Sequence, residues 1–217
     1  MASKDLLLKN RDKPVLVAHI VPGYFAAIQS KPYWQPSWSS RQRALLWMVA
    51  VGSPVAPDLD VIYNVLFRGF SNHSTLWTHS LFVHVIPLLV WWILQRIGRW
   101  PYLQTLMWLA AIGGLSHLLL DVIAHSTPLL YPFSMTMFGI PPQRVVEGGV
   151  WAYLTDPIFL FEPCLLTLAA IHWAKHHLHD QRTQRAVLVI LVTGLSAFIV
   201  GFLLLLPILQ EIAVSLT

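Results

Sequence analysis

The sequence predicts an all-α protein, a polytopic integral membrane helical bundle with about four full spans plus two shorter N-terminal hydrophobic helices. Of its 217 residues, 56% are hydrophobic and only 11% are charged, whereas an average soluble domain carries about 25% charged residues. The mean hydropathy is +0.60. Apolar runs long enough to cross a bilayer, about 20 residues each, alternate with polar turns. We therefore expect residues 1–217 to form a single membrane-embedded domain.

The two N-terminal apolar runs are the shorter ones. Residues 14–29 form a run of about 16 residues, too short to cross the bilayer comfortably as a helix, and this run carries His19 near its start. The next run, 44–55, leads into Pro54-Val55-Ala56-Pro57-Asp58-Leu59-Asp60. Because the prolines stop a regular helix there, we expect Asp58 and Asp60 on a turn at its end.

Four longer apolar runs predict the full spans: 78–97, 102–123, 150–174 and 186–212. Consecutive spans run antiparallel, so His117 and Asp121, late in the second run, should return to the membrane face at which His79 begins the first. The segment 126–149 is rich in proline and glycine yet apolar. We expect it to lie on the membrane surface or to fold into it.

The second of these spans carries a polar stripe. His117, Asp121 and His125 are spaced four residues apart, so at about 100° per residue they fall within roughly 80° of one another on a helix. An ionisable side chain in hydrocarbon costs about 3 kcal/mol or more, so the stripe must face a partner, water or a metal. The alternative is a helix end at the interface, where Asp121 and His125 simply meet water.

Similar groups from other segments are expected at the same membrane face, giving this set: His19, Asp58, Asp60, His73, His79, His117, Asp121 and His125, with Asp156 nearby. A mixture of histidine and carboxylate suits zinc, manganese or iron, and the only cysteine, Cys164, excludes a cysteine-rich zinc site. One or two divalent ions are compatible with this number of ligands, and zinc is favoured. Asp60 and His125 are the expected proton-transfer residues.

The same residues also have structural interpretations. His19 could be an interfacial histidine, Asp58 and Asp60 could simply end a helix, and His79 could neighbour a helix cap. The remaining histidines are assigned to packing or to a solvated turn: His84, His172, His176, His177 and His179.

The distribution of charge bears on orientation and partners. Eight basic residues are expected opposite the site: Lys31, Arg41, Arg43, Arg96, Arg99, Lys175, Arg182 and Arg185. Six are expected at its own face: Lys4, Lys9, Arg11, Lys13, Arg68 and Arg144. The positive-inside rule then predicts that the first set is cytoplasmic and that the site lies at the outer, periplasmic face. The expected location is the bacterial inner membrane. No basic run interleaved with aromatics suggests nucleic-acid binding, and residues 1–13 lack the apolar core of a cleavable signal peptide.

Four short motifs, taken in order, carry a resemblance: Ala18-His19 followed by Gly23, then Ala56-Pro57-Asp58-Leu59-Asp60, Thr78-His79-Ser80-Leu81 and His117-Leu118-Leu119-Leu120-Asp121. Over about residues 15 to 135 the chain resembles the YdjM-like family, described as LexA-regulated, membrane-bound metal-dependent hydrolases. The resemblance implies a divalent metal held by these residues: His19, Asp58, Asp60, His79, His117 and Asp121.

The chain departs from the family pattern at one place. That pattern usually reads His-Arg-x-x-Thr-His-Ser, whereas Asn72-His73-Ser74-Thr75-Leu76-Trp77-Thr78-His79-Ser80 has no arginine and one extra residue. His73 is taken as the first histidine of the motif and as a metal ligand. The ligand pattern also looks similar to that of zinc-dependent phospholipase C enzymes, which by analogy suggests a lipid phosphoester.

The expected function is therefore that of a membrane-bound metal-dependent hydrolase. Its substrate would be a phosphoester of a membrane lipid or lipid-linked molecule, cleaved at the bilayer interface by metal-activated water. Three alternatives stay open: a metal or proton carrier that uses the stripe as its path, a haem protein with histidine pairs between helices, and a non-catalytic regulatory membrane protein that retains the His/Asp site.

Overall fold

The computed structural model describes residues 17–68, 77–140 and 155–215. Within these ranges the chain is helical, and its only β feature is an isolated antiparallel bridge between Thr127 and Phe138. The α-helices of the described residues are α1 (Ile20–Ser30), α2 (Ser40–Gly52), α3 (Asp60–Arg68), α4 (Leu81–Ile97), α5 (Pro101–Ala124), α6 (Phe161–His177) and α7 (Gln181–Ser215). The predicted all-α class is confirmed.

About three helical segments are long and apolar enough to cross a membrane: Pro101–Ala124, Pro157–His177 and Gln181–Ser215. A fourth arises if Ser40–Gly52 and Ala56–Asn64, which meet at a 75° bend, form one broken span. The full span predicted over 78–97 is shorter than expected, because α4 starts only at Leu81 and has 17 residues. The chain before it forms a 3-10 turn, and the Ser80 side chain caps the helix by accepting from the Phe82 N–H.

The chain divides into two compact units, His19–Pro142 and the pair Met1–Ala18 with Gln143–Thr217. The second of these contains α6 and α7, which pack against each other. These two apolar helices are joined by the polar turn at 178–180 and form a helical hairpin.

The unit His19–Pro142 is built around α5, which packs against α1, α2 and α4. Its buried hydrophobic cluster comes from α1, α2, α5 and the loop before α2: Ala26, Ala27, Trp38, Leu46, Ala50 and Leu109. The Ser39 and Gln42 capping box fixes the start of α2, because each side chain satisfies an N–H at the helix N-terminus. Small residues on facing helices let the backbones approach closely.

Two glycines show how close these helices come. A Cβ atom added to Gly23 of α1 would overlap the backbone carbonyl of Ala50 in α2, and one added to Gly114 of α5 would overlap the imidazole of His84 in α4. Only glycine fits at such separations. The same close packing brings the ends of α1, α2, α4 and α5 together at one end of the unit.

Candidate metal centre

Five buried histidine and aspartate residues lie together where helices begin or end. His19 closes the 3-10 turn Val17–His19 before α1, Asp58 lies in the turn Ala56–Leu59 after α2, and His79 closes the turn Trp77–His79 before α4. His117 and Asp121 lie in the last turns of α5. All five side chains are at most 2% exposed. The short turns place His19, Asp58 and His79 at helix ends, whereas His117 and Asp121 lie within the candidate span α5.

Asp121 lies at the centre of the cluster. Its Oδ2 is 3.3 Å from His117 Nε2 and 3.5 Å from His79 Nε2. Its Oδ1 is 3.2 Å from His125 Nε2 and 3.7 Å from His19 Nε2. Each carboxylate oxygen of Asp121 is therefore flanked by the Nε2 atoms of two histidines.

Asp58 approaches the same histidines from another segment. Its Oδ1 is 3.5 Å from His79 Nε2 and 3.7 Å from His117 Nε2, and its Oδ2 is 3.4 Å from His19 Nδ1. Neighbouring ligands of a tetrahedral zinc ion are roughly 3.4 Å apart when the bonds are about 2.1 Å long. The separations between the nitrogens of His79 and His117 and the nearest oxygens of the two aspartates are close to that value.

The second ring nitrogens of the histidines are turned toward acceptors. His117 Nδ1 lies 2.7 Å from the Pro54 carbonyl, as a donor to it would. His79 Nδ1 lies 3.4 Å from Asp60 Oδ2, which also accepts a hydrogen bond from the Thr78 hydroxyl at 3.0 Å. Metal-binding histidines commonly donate their other N–H to a carbonyl or a carboxylate, which fixes the tautomer and points the remaining nitrogen at the ion.

Several polar atoms of the cluster are buried without a hydrogen-bond partner among the described residues: both ring nitrogens of His19, Nε2 of His117 and both carboxylate oxygens of Asp121. Buried polar atoms are normally paired, because an unpaired one costs free energy. A cation between them would satisfy nitrogen lone pairs and carboxylate charge together. Two three-residue sets have ligand atoms close enough to hold an ion: His19 with Asp58 and His117, and His79 with His117 and Asp121. The residues therefore fit a divalent metal ion.

His79 stands outside the candidate spans, and its electrostatic environment is strongly acidic. Burial disfavours its charged form, but hydrogen bonds to Asp58 and Asp60 and the negative charges of Asp121 and Asp60 together raise the pKa of His79 to about 9. Carboxylates that stabilise a proton on an imidazole also stabilise a metal cation in its place. The surroundings of His79 are therefore suited to positive charge.

The other predicted site residues fall in different places. Asp60 contacts His79 on the side away from Asp58 and Asp121, and His125 lies at the end of α5 with its Nδ1 3.2 Å from the Ser126 carbonyl. His73 lies outside the described residues, and Asp156, which caps the turn Pro157–Leu160, belongs to the unit that contains α6 and α7. His84 is turned to the Thr78 carbonyl at 2.8 Å.

Two contacts of the site were missed by sequence reasoning. The Thr78 hydroxyl holds Asp60, and the Pro54 carbonyl holds His117. The position of Thr78 next to His79 was a usable signal, because a hydroxyl beside a ligand often orients its surroundings. Every residue has a backbone carbonyl, so the residue type could not indicate that the Pro54 carbonyl contacts His117; only the structure shows this contact.

Comparison with known proteins agrees with these features. The model of the family described as YdjM inner membrane protein matches residues 15–206, a range that contains every residue of the cluster. No curated protein and no solved structure matches the chain. Since the match extends over most of the sequence, the chain belongs to the YdjM inner membrane protein family.

Proposed function

We propose that this protein is a membrane-bound metal-dependent hydrolase that cleaves a phosphoester of a lipid or lipid-linked substrate. The observation that carries the proposal is the convergence of His19, Asp58, His79, His117 and Asp121, from four separate segments, into one buried cluster. Ionisable side chains beside hydrocarbon cost free energy unless they are paired, hydrated or bound to an ion. A divalent cation bound between these side chains would offset that cost.

The ligand types bear on the identity of the metal and on its chemistry. Imidazole nitrogen with carboxylate oxygen, and no thiolate, suits zinc first, with manganese or iron as alternatives. A divalent ion held there would activate a water molecule and neutralise charge on a phosphoryl oxygen. The residues of the chain would hold that ion, orient its ligands and move protons.

Asp60 and His125 have different parts in this proposal. Asp60 Oδ2 contacts both the Thr78 hydroxyl and His79 Nδ1, so Asp60 orients the histidine rather than meeting substrate. The side chain of His125 is 6% exposed, whereas that of Asp121 beside it is 1% exposed. His125 therefore lies nearest the outside, where it can take a proton from water or give one to a leaving group.

The segment next to the cluster supports a lipid-like substrate. Residues 126–140 include no charged side chain, and Phe133, Met135 and Ile140 are exposed. The segment is fastened beside the site, because the Leu81 N–H donates to the Leu129 carbonyl and the Ile140 N–H donates to the Val122 carbonyl. An exposed apolar segment of this kind suits the boundary between lipid headgroups and acyl chains.

The proposed location is the inner membrane, with the site at the periplasmic face. The family description supports the first part. The excess of lysine and arginine in the turns expected at the opposite face supports the second.

Hydrolysis assays on the full chain in detergent test the proposal. The protein is stripped with a chelator, reloaded with zinc or manganese, and incubated with mixed phospholipids and lipid-linked phosphates while released phosphate or headgroup is measured. We expect turnover only after reloading. His117→Ala and Asp121→Ala should abolish it, and His179→Ala, a change of an exposed histidine on the turn after α6, should leave it intact.

The assay separates the proposal from its main alternative. Metal-independent hydrolysis, or hydrolysis unchanged in Asp121→Ala, would show that the cluster is not the catalytic centre. Metal bound by the wild type with no hydrolysis of any phosphoester, together with metal uptake into proteoliposomes, would identify a carrier instead.

A further inference from the structure

The buried imidazole of His84 is bonded to the turn that carries His79. His84 lies in the first turn of α4, and its Nε2 is 2.8 Å from the Thr78 carbonyl oxygen. Because a carbonyl can only accept, Nε2 is the donor in this bond. Thr78 directly precedes His79 in the turn Trp77–His79, so the ring of His84 holds the backbone beside a candidate metal ligand.

The Thr78 carbonyl lies just before α4 and is not paired within that helix. In a continuous helix it would accept from the N–H of Phe82, or from that of Leu81 in a 3-10 turn. The Leu81 N–H donates instead to the Leu129 carbonyl, and the Phe82 N–H donates to the side chain that caps α4. The helix starts too late to hold the preceding turn, and His84 reaches back from within α4 to do so.

Another edge of the same ring faces α5. A Cβ atom added to Gly114 would overlap Nδ1 of His84, so the missing side chain of Gly114 leaves the space that the imidazole fills. Gly114 lies about one helical turn before His117 and two before Asp121. His84 is therefore packed between the turn that supplies His79 and the helix that supplies the other two residues.

Thr78 connects this packing to the candidate ligand. Its hydroxyl donates to Asp60 Oδ2 at 3.0 Å and lies 3.2 Å from His79 Nδ1, while its carbonyl is held by His84. A movement of Thr78 would therefore shift Asp60 and His79 together. His79 Nε2 lies 3.5 Å from an oxygen of each of the two central aspartates, so even a small shift would change the set of atoms that meets an ion.

We propose that His84 is a positioning residue of the metal centre, whose bond to the Thr78 carbonyl fixes the turn that directs His79 at the ion. The inference rests on the proposed function, because it concerns the same site. His84 itself would not bind the ion, since its Nε2 is committed to Thr78 and its Nδ1 faces the backbone of Gly114. Metal affinity and coordination geometry should therefore depend on an N–H donor at position 84.

A matched pair of substitutions separates the hydrogen bond from packing. The side chains in His84→Gln and His84→Met have nearly the same size, but only glutamine carries an N–H that can reach the Thr78 carbonyl. The full chain is purified in detergent, stripped of metal and loaded with cobalt(II), whose visible absorption bands report coordination geometry. Competition with a chelator measures the affinity, and the melting temperature of the metal-free protein confirms that each variant is folded.

We expect His84→Met to bind cobalt about tenfold more weakly than the unmutated chain, which is the lower end of the usual loss when a residue that orients a ligand is removed. Its absorption bands should also change in position and intensity. His84→Gln should restore both the affinity and the spectrum. If His84→Met does not fold, His84→Asn takes its place, because the shorter amide stops short of the carbonyl.

The outcomes distinguish this inference from the proposed function. Equal weakening in the glutamine variant and its donor-free partner would show that the ring acts only by filling space, and the proposal would fail. Unchanged affinity and spectrum in both variants would also overturn it, because the turn would then hold without the bond, and the metal centre would stand. Absence of bound cobalt in every protein, the unmutated chain included, would contradict the proposed function itself.

Discussion

Asp60 Oδ2 lies 3.4 Å from His79 Nδ1, while His79 Nε2 lies 3.5 Å from both Asp58 and Asp121. The imidazole thus separates Asp60 from the centre of the cluster. This geometry gives Asp60 the place of a carboxylate that orients a metal-binding histidine. The resemblance implied a direct ligand at this position, and the two assignments lead to different results on mutation.

Asp60→Asn should retain metal and bind it more weakly. Losing a carboxylate that orients a ligand typically costs about 10- to 100-fold in metal affinity, because the histidine becomes less basic and less well held. Competition with a fluorescent zinc chelator measures the change in affinity. Asp121→Asn is the matched comparison and should abolish binding, so equal loss in the two variants would place Asp60 among the direct ligands.

Metal affinity should depend on pH with a defined sign. The pKa of His79 is raised to about 9 by its carboxylate neighbours, so in metal-free protein this imidazole holds a proton at neutral pH. A metal must displace that proton, so the apparent affinity should rise about tenfold per pH unit up to about pH 9 for one proton released. Titration calorimetry in buffers of different ionisation enthalpy counts the protons. Uptake of protons on binding, or none exchanged, would contradict this prediction.

Gly23→Ala should destabilise the unit that carries the site. The added Cβ would overlap the Ala50 carbonyl, a backbone atom that cannot move aside by changing rotamer. Overpacking of this kind typically costs about 1–3 kcal/mol. Thermal unfolding in detergent measures the loss. Gly201→Ala is the control, since nothing lies within 4 Å of a Cβ there, and replacing a helical glycine with alanine should be neutral or stabilising.

Phe133 should contact lipid if residues 126–140 lie at the membrane interface. Phe133 is 82% exposed and belongs to a segment without charge. After reconstitution, the tryptophan fluorescence added by Phe133→Trp should therefore be quenched by brominated lipid. The fluorescence of the ten native tryptophans is measured on the unmutated protein and subtracted first. Emission typical of water, with no additional quenching, would place this segment away from the bilayer.

The same segment offers a test of substrate delivery. Phe133→Asp puts a charge where an apolar side chain would meet lipid, which is unfavourable at a membrane interface. We expect slower hydrolysis of substrate embedded in vesicles and unchanged hydrolysis of a short-chain, water-soluble analogue. Equal loss on both substrates would point to damage at the site rather than to impaired access.

Much of the candidate site could be predicted from the sequence. Ionisable residues stand out in an apolar chain, and antiparallel connection of 78–97 with 102–123 placed His79 near His117 and Asp121. The turn containing Asp58 was marked by its prolines. The length of α4 was harder to predict, because residues 77–80 are compatible with a helix by hydropathy but form a turn and a cap. The role of His73 stays a prediction, since it lies outside the described residues.

The sequence by itself determined the membrane class, the all-helical fold and the kinds of atom available for chemistry. Hydropathy and the four-residue spacing of His117, Asp121 and His125 depend only on residue order, so they can be read without coordinates. Only the tertiary structure decided which atom faces which: Asp58 toward the cluster and Asp60 behind His79, with the Pro54 carbonyl holding His117. Those directions depend on backbone turns and on close helix packing at glycines. A shift of a few ångströms would decide whether a side chain binds the ion directly or only orients a residue that does.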